Sequence, residues 1–220
     1  MKKIGILLSG CGVYDGSEIH EAVLTLLAVE RAGAEAVCLA PDVAQADVVD
    51  HLGGSIARGE SRNVLHESAR IARGKVWDTG MITAGELDAL VVVGGYGAAK
   101  NLCNFATAPG GPMVIEPSVA TLIRDLFAAR KPMGFLCISS VLAAEVLRGE
   151  GIELTIGTEP KTAAALEKLG AKHVPTSVTE IHRDPRHPVV SSAAYMLGET
   201  LSEVAVGIDK LVAEVVRLTN

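Results

Sequence analysis

The sequence predicts an α/β protein built on a doubly wound, mostly parallel sheet with helices on both faces. Strand-like apolar runs alternate with helical ones along nearly all of its 220 residues, the grammar of strand–helix–strand units. Aromatics are scarce, with three Phe, three Tyr and one Trp beside 23 Gly. That profile suits helices packed closely on a parallel sheet better than an aromatic-rich β-sandwich. At about 150 residues per domain the length fits one large unit. No linker, repeat or low-complexity segment divides residues 1–220, so a single domain is expected.

The elements follow in order. Lys3 to Ser9 reads as a buried strand, and a helix runs from about Glu18 to Ala32. Ser17 is its expected N-cap, Gly33 its stop, and Ile19, Val23, Leu26 and Leu27 its apolar stripe. Ala36 to Ala40 is a second strand and Arg62 to Ala72 a helix, with an unassigned loop at Gly53-Gly54 between them. Leu87 to Val93 is the clearest strand, followed by an amphipathic helix at Pro117 to Arg130. Met133 to Leu136 is a short strand running straight into a helix at Ser139 to Leu147. Beyond residue 150 come short strands at Leu154 to Ile156, Ala171 to Val174, Val178 to His182 and Val189 to Ser192. A helix at Thr162 to Leu169 ends at Gly170, a turn spans Asp184 to His187, and a final helix covers about Ser202 to Leu218.

Composition narrows function. A formal net charge of −6 argues against nucleic acid, which calls for a basic footprint. No apolar run approaches the roughly 18 residues of a membrane span. Cysteines 11, 38, 103 and 137 include no Cys-x-x-Cys pair, so neither a metal site nor a disulfide framework is expected, and the compartment reads as reducing and intracellular. Leu8-Ser9-Gly10-Cys11 looks like a lipoprotein cleavage box. The apolar stretch before it is shorter than the roughly 7–15 residues of a signal core, so export is not expected.

In a doubly wound sheet, ligands sit at the carboxyl ends of the strands, which singles out the loops after Leu8, Val93 and Leu136. The first, Gly10 to Gly16, invites a dinucleotide reading with Asp42 as the ribose acid. Its third glycine is one residue late, however, and Glu18 and Glu21 would repel a pyrophosphate. Those two carboxylates share a helix face. They either complement the helix dipole or, crowded together, keep a proton for acid–base work. The second loop, Gly94 to Asn101, can aim backbone N–H groups at an oxyanion or can be a tight turn. The third places Cys137 where a buried strand turns into a helix. Such an elbow exposes a nucleophile, and the helix terminus is expected to hold its thiol below the ordinary cysteine value; the plainer reading is a small buried apolar residue. Cys38 lies inside a strand and is expected to be inert, whereas Cys11 and Cys103 sit in the other two loops.

Cys137 on its elbow, Gly94-Gly95 after the preceding strand and a glutamate early in the first helix resemble the PfpI-type class I glutamine amidotransferase-like superfamily. Within it, the runs Ser9 to Glu18 and Gly97 to Leu102, with Ile156-Gly157-Thr158, resemble the enhancing-lycopene-biosynthesis, ElbB-type glyoxalase group over essentially the whole chain. The resemblance implies a flavodoxin-like sandwich, a cytoplasmic homodimer and a glyoxalase III-like lyase that needs no cofactor and no metal. Its substrate would be a small dicarbonyl, glyoxal or methylglyoxal, converted to glycolate or lactate through a cysteine hemithioacetal; removal of glycation adducts would be the same chemistry. Alignment on Arg31-Ala32-Gly33 makes Glu21, not Glu18, the proton-transfer residue beside the nucleophile Cys137. Gly95 and Ile138 would supply the oxyanion hole, and Gly94, Cys11, Glu18, Lys100, Asn101 and Cys103 are candidates to line the site. The sequence departs from many relatives at Ile138, where they carry a histidine, and no other histidine has a signature tying it to Cys137. The alternative is a non-catalytic redox-sensing or regulatory protein linked to isoprenoid metabolism, and a nucleotide-binding oxidoreductase ranks last.

Overall fold

A computed structural model describes residues 1–219. The strands are β1 (Lys3–Leu7), β2 (Glu35–Ala40), β3 (Val49–Asp50), β4 (Ser55–Ile56), β5 (Val76–Asp78), β6 (Ala89–Val92), β7 (Met133–Leu136), β8 (Glu153–Leu154), β9 (Lys172–His173), β10 (Ile181–Arg183) and β11 (Val189–Ser192). The helices are α1 (Ile19–Arg31), α2 (Val64–Ile71), α3 (Tyr96–Lys100), α4 (Pro117–Ala128), α5 (Ser140–Val146), α6 (Pro160–Lys168) and α7 (Leu201–Arg217). Seven strands form the main sheet in the order β10-β11-β7-β6-β1-β2-β5. All neighbours pair in parallel except β10, which pairs antiparallel with β11 at one edge. The expected doubly wound, flavodoxin-like sheet is therefore present.

The central strands carry no polar side chain: Ala89 to Val92 and Met133 to Leu136 are wholly buried, as a sheet covered on both faces requires. One core packs residues of α4 and α5 such as Leu122, Ile123, Val141 and Leu142 against the sheet. The other packs Ala28 and Val29 of α1 and Val204, Ile208, Leu211 and Val215 of α7 against the opposite face. The loop at Gly53-Gly54 is the turn of a small β3–β4 hairpin, and β8 with β9 forms a separate parallel pair. No described helix is long and apolar enough to cross a membrane.

Two expectations for α1 are corrected. Its N-cap is Glu18 rather than Ser17: the Glu18 carboxylate accepts the Glu21 N–H at 2.7 Å, a bond that the shorter serine at 17 is one position too early to make. Its inward face is also not the large apolar stripe. Ile19, Val23 and Leu27 are exposed, and the buried residues are Glu21, Ala22, Thr25, Ala28 and Val29. Small residues let α1 lie close against α7 and the sheet, and that rotation is the one that turns Glu21 inward.

Candidate active site

The site begins with a backbone made to turn where it resists turning. β7 ends at Leu136, and Cys137 follows with φ of 55°, a left-handed conformation that costs a non-glycine residue on the order of 1–2 kcal/mol. The Ser139 hydroxyl closes the turn, 2.7 Å from the Leu136 carbonyl oxygen and 3.0 Å from that of Val92. A short 3₁₀ turn, Cys137–Ser139, precedes α5, so the helix itself starts later than the sequence suggests. The elbow is real, and Cys137 stands at its tip.

Gly94 lies beneath it. Its N–H donates to Glu21 Oε2 at 2.9 Å, and the Tyr195 N–H donates to Glu21 Oε1 at 3.2 Å. A Cβ on Gly94 would lie 2.5 Å from Cys137 Cβ and 2.6 Å from Glu21 Oε2, so only glycine fits. Gly95 has φ of 95° and backs onto the Gly16–Glu18 backbone. This holds the start of α1 against the loop after β6, with the Glu18 N–H donating to the Gly94 carbonyl at 3.0 Å.

Electrostatics make a coupled acid pair. Glu21 is fully buried, and burial raises its carboxyl to about 8, with the nearby Glu18 charge adding to the rise. The N–H groups of Tyr195 and Gly94 and a hydrogen bond to Cys137 pull against that rise. Burial likewise pushes the Cys137 thiol well above its ordinary value, reinforced by Glu21 and opposed by backbone N–H groups of Ile138 and Gly95 aimed at the sulfur. The expectation of a thiol held below the cysteine range is therefore corrected. Cys137 is only 7% exposed, and desolvation of its thiolate outweighs the donors of a single turn. Near neutrality Glu21 keeps its proton, and the pair ionises as a unit.

Above the pair opens a cavity of about 310 Å³ lined by Val13, Glu18, Gly95, Tyr96, Phe105, Cys137, Ile138, Thr162, Tyr195 and Met196. Of the expected site residues, Cys137, Glu21, Gly94, Gly95, Ile138 and Glu18 come together here. The others do not. Asn101 braces the first loop, donating to the carbonyls of Ser9 and Asp15, both at 2.8 Å. Lys100 pairs with Asp47 at 2.9 Å. Cys103 is buried against the Ala98 carbonyl, its thiol pushed up to about 12 by burial. Cys11 lies near Glu67, Arg62 and Arg70, raised by burial and by Glu67. Cys38 is buried in β2 as expected, its thiol pushed up to about 11. Asp42 accepts from Asn63 at 2.7 Å rather than waiting for a ribose.

Sequence reasoning missed Tyr195 and Met196. They lie in the loop after β11, the neighbour of β7, at the same carboxyl edge as the other three loops; that rule alone pointed to them. It also missed Phe105 and Thr162, which stand far along the chain with no local signal.

No protein-family model matches the chain. It is 45% identical over 227 residues to the human glutamine amidotransferase-like class 1 domain-containing protein 3, mitochondrial, covering 99% of this chain and 84% of that protein. A rat ES1 protein homolog, mitochondrial, is 43% identical with the same coverage. The crystal structure of an isoprenoid biosynthesis protein with an amidotransferase-like domain from Ehrlichia chaffeensis superposes with a TM-score of 0.90 at 36% identity, over 98% of this chain and 99% of that one. A DJ-1 superfamily protein of Salmonella typhimurium, at 20% identity and a TM-score of 0.57 over 99% and 91% of the two chains, shares the fold. With a cysteine on a strained elbow, a buried glutamate beside it and relatives matching over nearly its whole length, the chain belongs to the glutamine amidotransferase-like class 1 domain family, of the ES1 type.

Proposed function

We propose that this protein is a cofactor-independent glyoxalase of the ElbB type, converting glyoxal or methylglyoxal to the corresponding hydroxy acid. The observation that carries the reading is the meeting, at one small cavity, of the Cys137 sulfur and the N–H groups of Gly95 and Ile138, with a Glu21 carboxyl that holds its proton near neutrality hydrogen-bonded behind the sulfur. About 310 Å³ accommodates a two- or three-carbon dicarbonyl. Ile138, standing where many superfamily members with peptidase or amidotransferase activity have histidine, leaves Glu21 as the base beside the sulfur.

In the singly ionised pair, sulfur adds to the aldehyde carbon and its proton passes by way of Glu21 to the new oxyanion, steadied by the Gly95 and Ile138 N–H groups. The product is a hemithioacetal beside a Glu21 carboxylate. Glu21 then takes the C–H proton of that carbon and returns it to the neighbouring carbon through an enediol, leaving a hydroxyacyl thioester. Water adds to the thioester carbonyl, the C–S bond breaks, and a hydroxy acid leaves with Cys137 regenerated. Glyoxal plus water thus gives glycolate and a proton, with no electrons exchanged outside the substrate.

The same reading gives a cytoplasmic homodimer. The exposed apolar stripe Ile19, Val23 and Leu27 of α1 supports a covered face, which sedimentation equilibrium tests. A redox-sensing role is less well supported, because an oxidation sensor calls for an exposed thiolate, whereas this thiol is buried and raised. The deciding experiment measures glyoxal loss and glycolate formation with no cofactor added. Turnover abolished in Cys137→Ser is expected; absence of turnover in the wild type, or its survival in Cys137→Ser, sinks the reading.

A further inference from the structure

The proposed isomerisation has to move two protons. One goes from carbon to carbon, which Glu21 serves. The other has to leave the hydroxyl of the attacked carbon as the oxygen of the second carbon gains one. During this step Glu21 is occupied with the carbon-bound proton, and its two oxygens already accept from the N–H groups of Gly94 and Tyr195, so the substrate oxygens need another group.

Two hydroxyls among the cavity-lining side chains have titratable partners: that of Thr162 is spent on the Glu159 carboxylate at 2.6 Å, within the cap of α6, whereas that of Tyr195 meets a histidine. Tyr195 lines the cavity together with Cys137, Gly95 and Ile138. Its hydroxyl lies 2.9 Å from His20 Nδ1, with the two rings inclined and their centroids 6.0 Å apart. His20 in turn lies 3.9 Å from Glu18 Oε1 and has 58% of its side chain exposed, so it meets bulk water. The chain reaches Tyr195 through a second strained residue, Ala194, with φ of 42°. Arg73 and Arg130, the other two non-glycine residues with positive φ among the described residues apart from Cys137, terminate turns just beyond α2 and α4. Both Cys137 and Ala194 thus hold unfavourable backbone beside one cavity, and the strain at Ala194 brings the Tyr195 N–H onto Glu21 while its ring lines the opening.

We propose that Tyr195 is a catalytic acid–base residue that carries the proton between the two substrate oxygens, and that His20 is the positioning residue that holds its hydroxyl. This rests on the glyoxalase reading and extends it. As Glu21 takes the C–H proton, Tyr195 gives its O–H proton to the second carbonyl oxygen, and the enediol forms beside a phenolate held by His20. As Glu21 returns its proton to the second carbon, the hydroxyl on the first carbon gives its proton to the phenolate, and the thioester carbonyl forms. Each residue ends as it began. Burial and the charges of Glu18 and Glu21 raise the Tyr195 hydroxyl, so between turnovers it stays protonated, ready to donate.

The test uses full-length protein and glyoxal. Tyr195→Phe keeps the ring and the backbone N–H to Glu21, so Cys137 alkylation by iodoacetamide is expected to match the wild type. Its kcat is expected to fall by about 10²-fold, the scale of one acid–base group, with little change in KM. His20→Ala is expected to lose about tenfold, the scale of one hydrogen bond to a charged group, and free imidazole should restore part of that at so exposed a position. Wild-type kcat in Tyr195→Phe, or alkylation falling in step with turnover, overturns the assignment alone. Absence of turnover in the wild type overturns the glyoxalase reading and the assignment with it.

Discussion

Gly94 fits against Glu21 so closely that each defines the other. Its N–H donates to the carboxyl at 2.9 Å, and a Cβ on the same glycine would stand 2.6 Å from that oxygen. The carboxyl thus gains a fixed donor and loses all solvent at once. Loss of solvent keeps it protonated near neutrality against the downward pull of the Gly94 N–H, and that N–H holds it in place.

Gly94→Ala is accordingly expected to disrupt both partners. The added methyl meets Cys137 Cβ at 2.5 Å and the Leu136 carbonyl oxygen at 3.0 Å, and backbone cannot yield cheaply. A stability loss of about 1–3 kcal/mol, the range for overpacking, should accompany loss of turnover. Urea unfolding and the glyoxal assay measure the two.

Activity should rise with pH. Glu21, at about 8, keeps the pair neutral below that value, and the singly ionised form is the reactive one. The expected kcat/KM climbs about tenfold per pH unit below pH 8 and levels above it. A profile flat from pH 6 to 9 would contradict the assigned pair.

Stability should move the other way. The folded state keeps a proton on Glu21 that an ordinary carboxylate in the unfolded chain releases near 4.5, and holds it until about 8. This contribution is fully present below 4.5 and is lost as pH rises through that window. Glu21→Gln removes it, so the variant's urea midpoint should fall less than the wild type's between pH 5 and 8.5. Equal slopes would mean that Glu21 is not protonated in the fold.

Glu21 and Glu18 should separate by substitution. Glu21→Gln keeps shape but not the base, and turnover should drop by about 10²-fold or more. Glu18→Gln retains an oxygen to accept the Glu21 N–H, now at 2.7 Å, and should cost far less. Equal losses in the glyoxal assay would leave the roles unassigned.

Among the cysteines, Cys137→Ser should abolish turnover, because Ile138 offers no base for a serine hydroxyl. Cys11→Ser and Cys103→Ser should retain most of it, since neither residue lines the cavity. A loss in Cys11→Ser comparable to that in Cys137→Ser would redraw the site.

Most strands and helices, the elbow at Cys137 and the paired glycines after β6 were legible in the sequence, because each rests on local pattern: an apolar run, a glycine, a helix start; the three-residue edge strand β5 and the one-turn α3 are too short to carry such a pattern and were not. Glu21 over Glu18 was legible only through the resemblance, and α1 shows why. Its larger apolar residues Ile19, Val23 and Leu27 suggest one inward face, yet the fold buries Glu21, Ala22 and Thr25 instead, since helix rotation is set by packing against α7 and the sheet. The sign of the Cys137 shift was likewise beyond the sequence. A helix terminus is a local feature, but the desolvation that outweighs it comes from groups folded in from across the chain. Local periodicity thus determined the scaffold and the place of the nucleophile. The tertiary structure decided which acid faces it, which way the pair's protons are held, and that Tyr195 and His20, 175 residues apart, meet at its mouth, because burial and through-space contact depend on the whole packed chain.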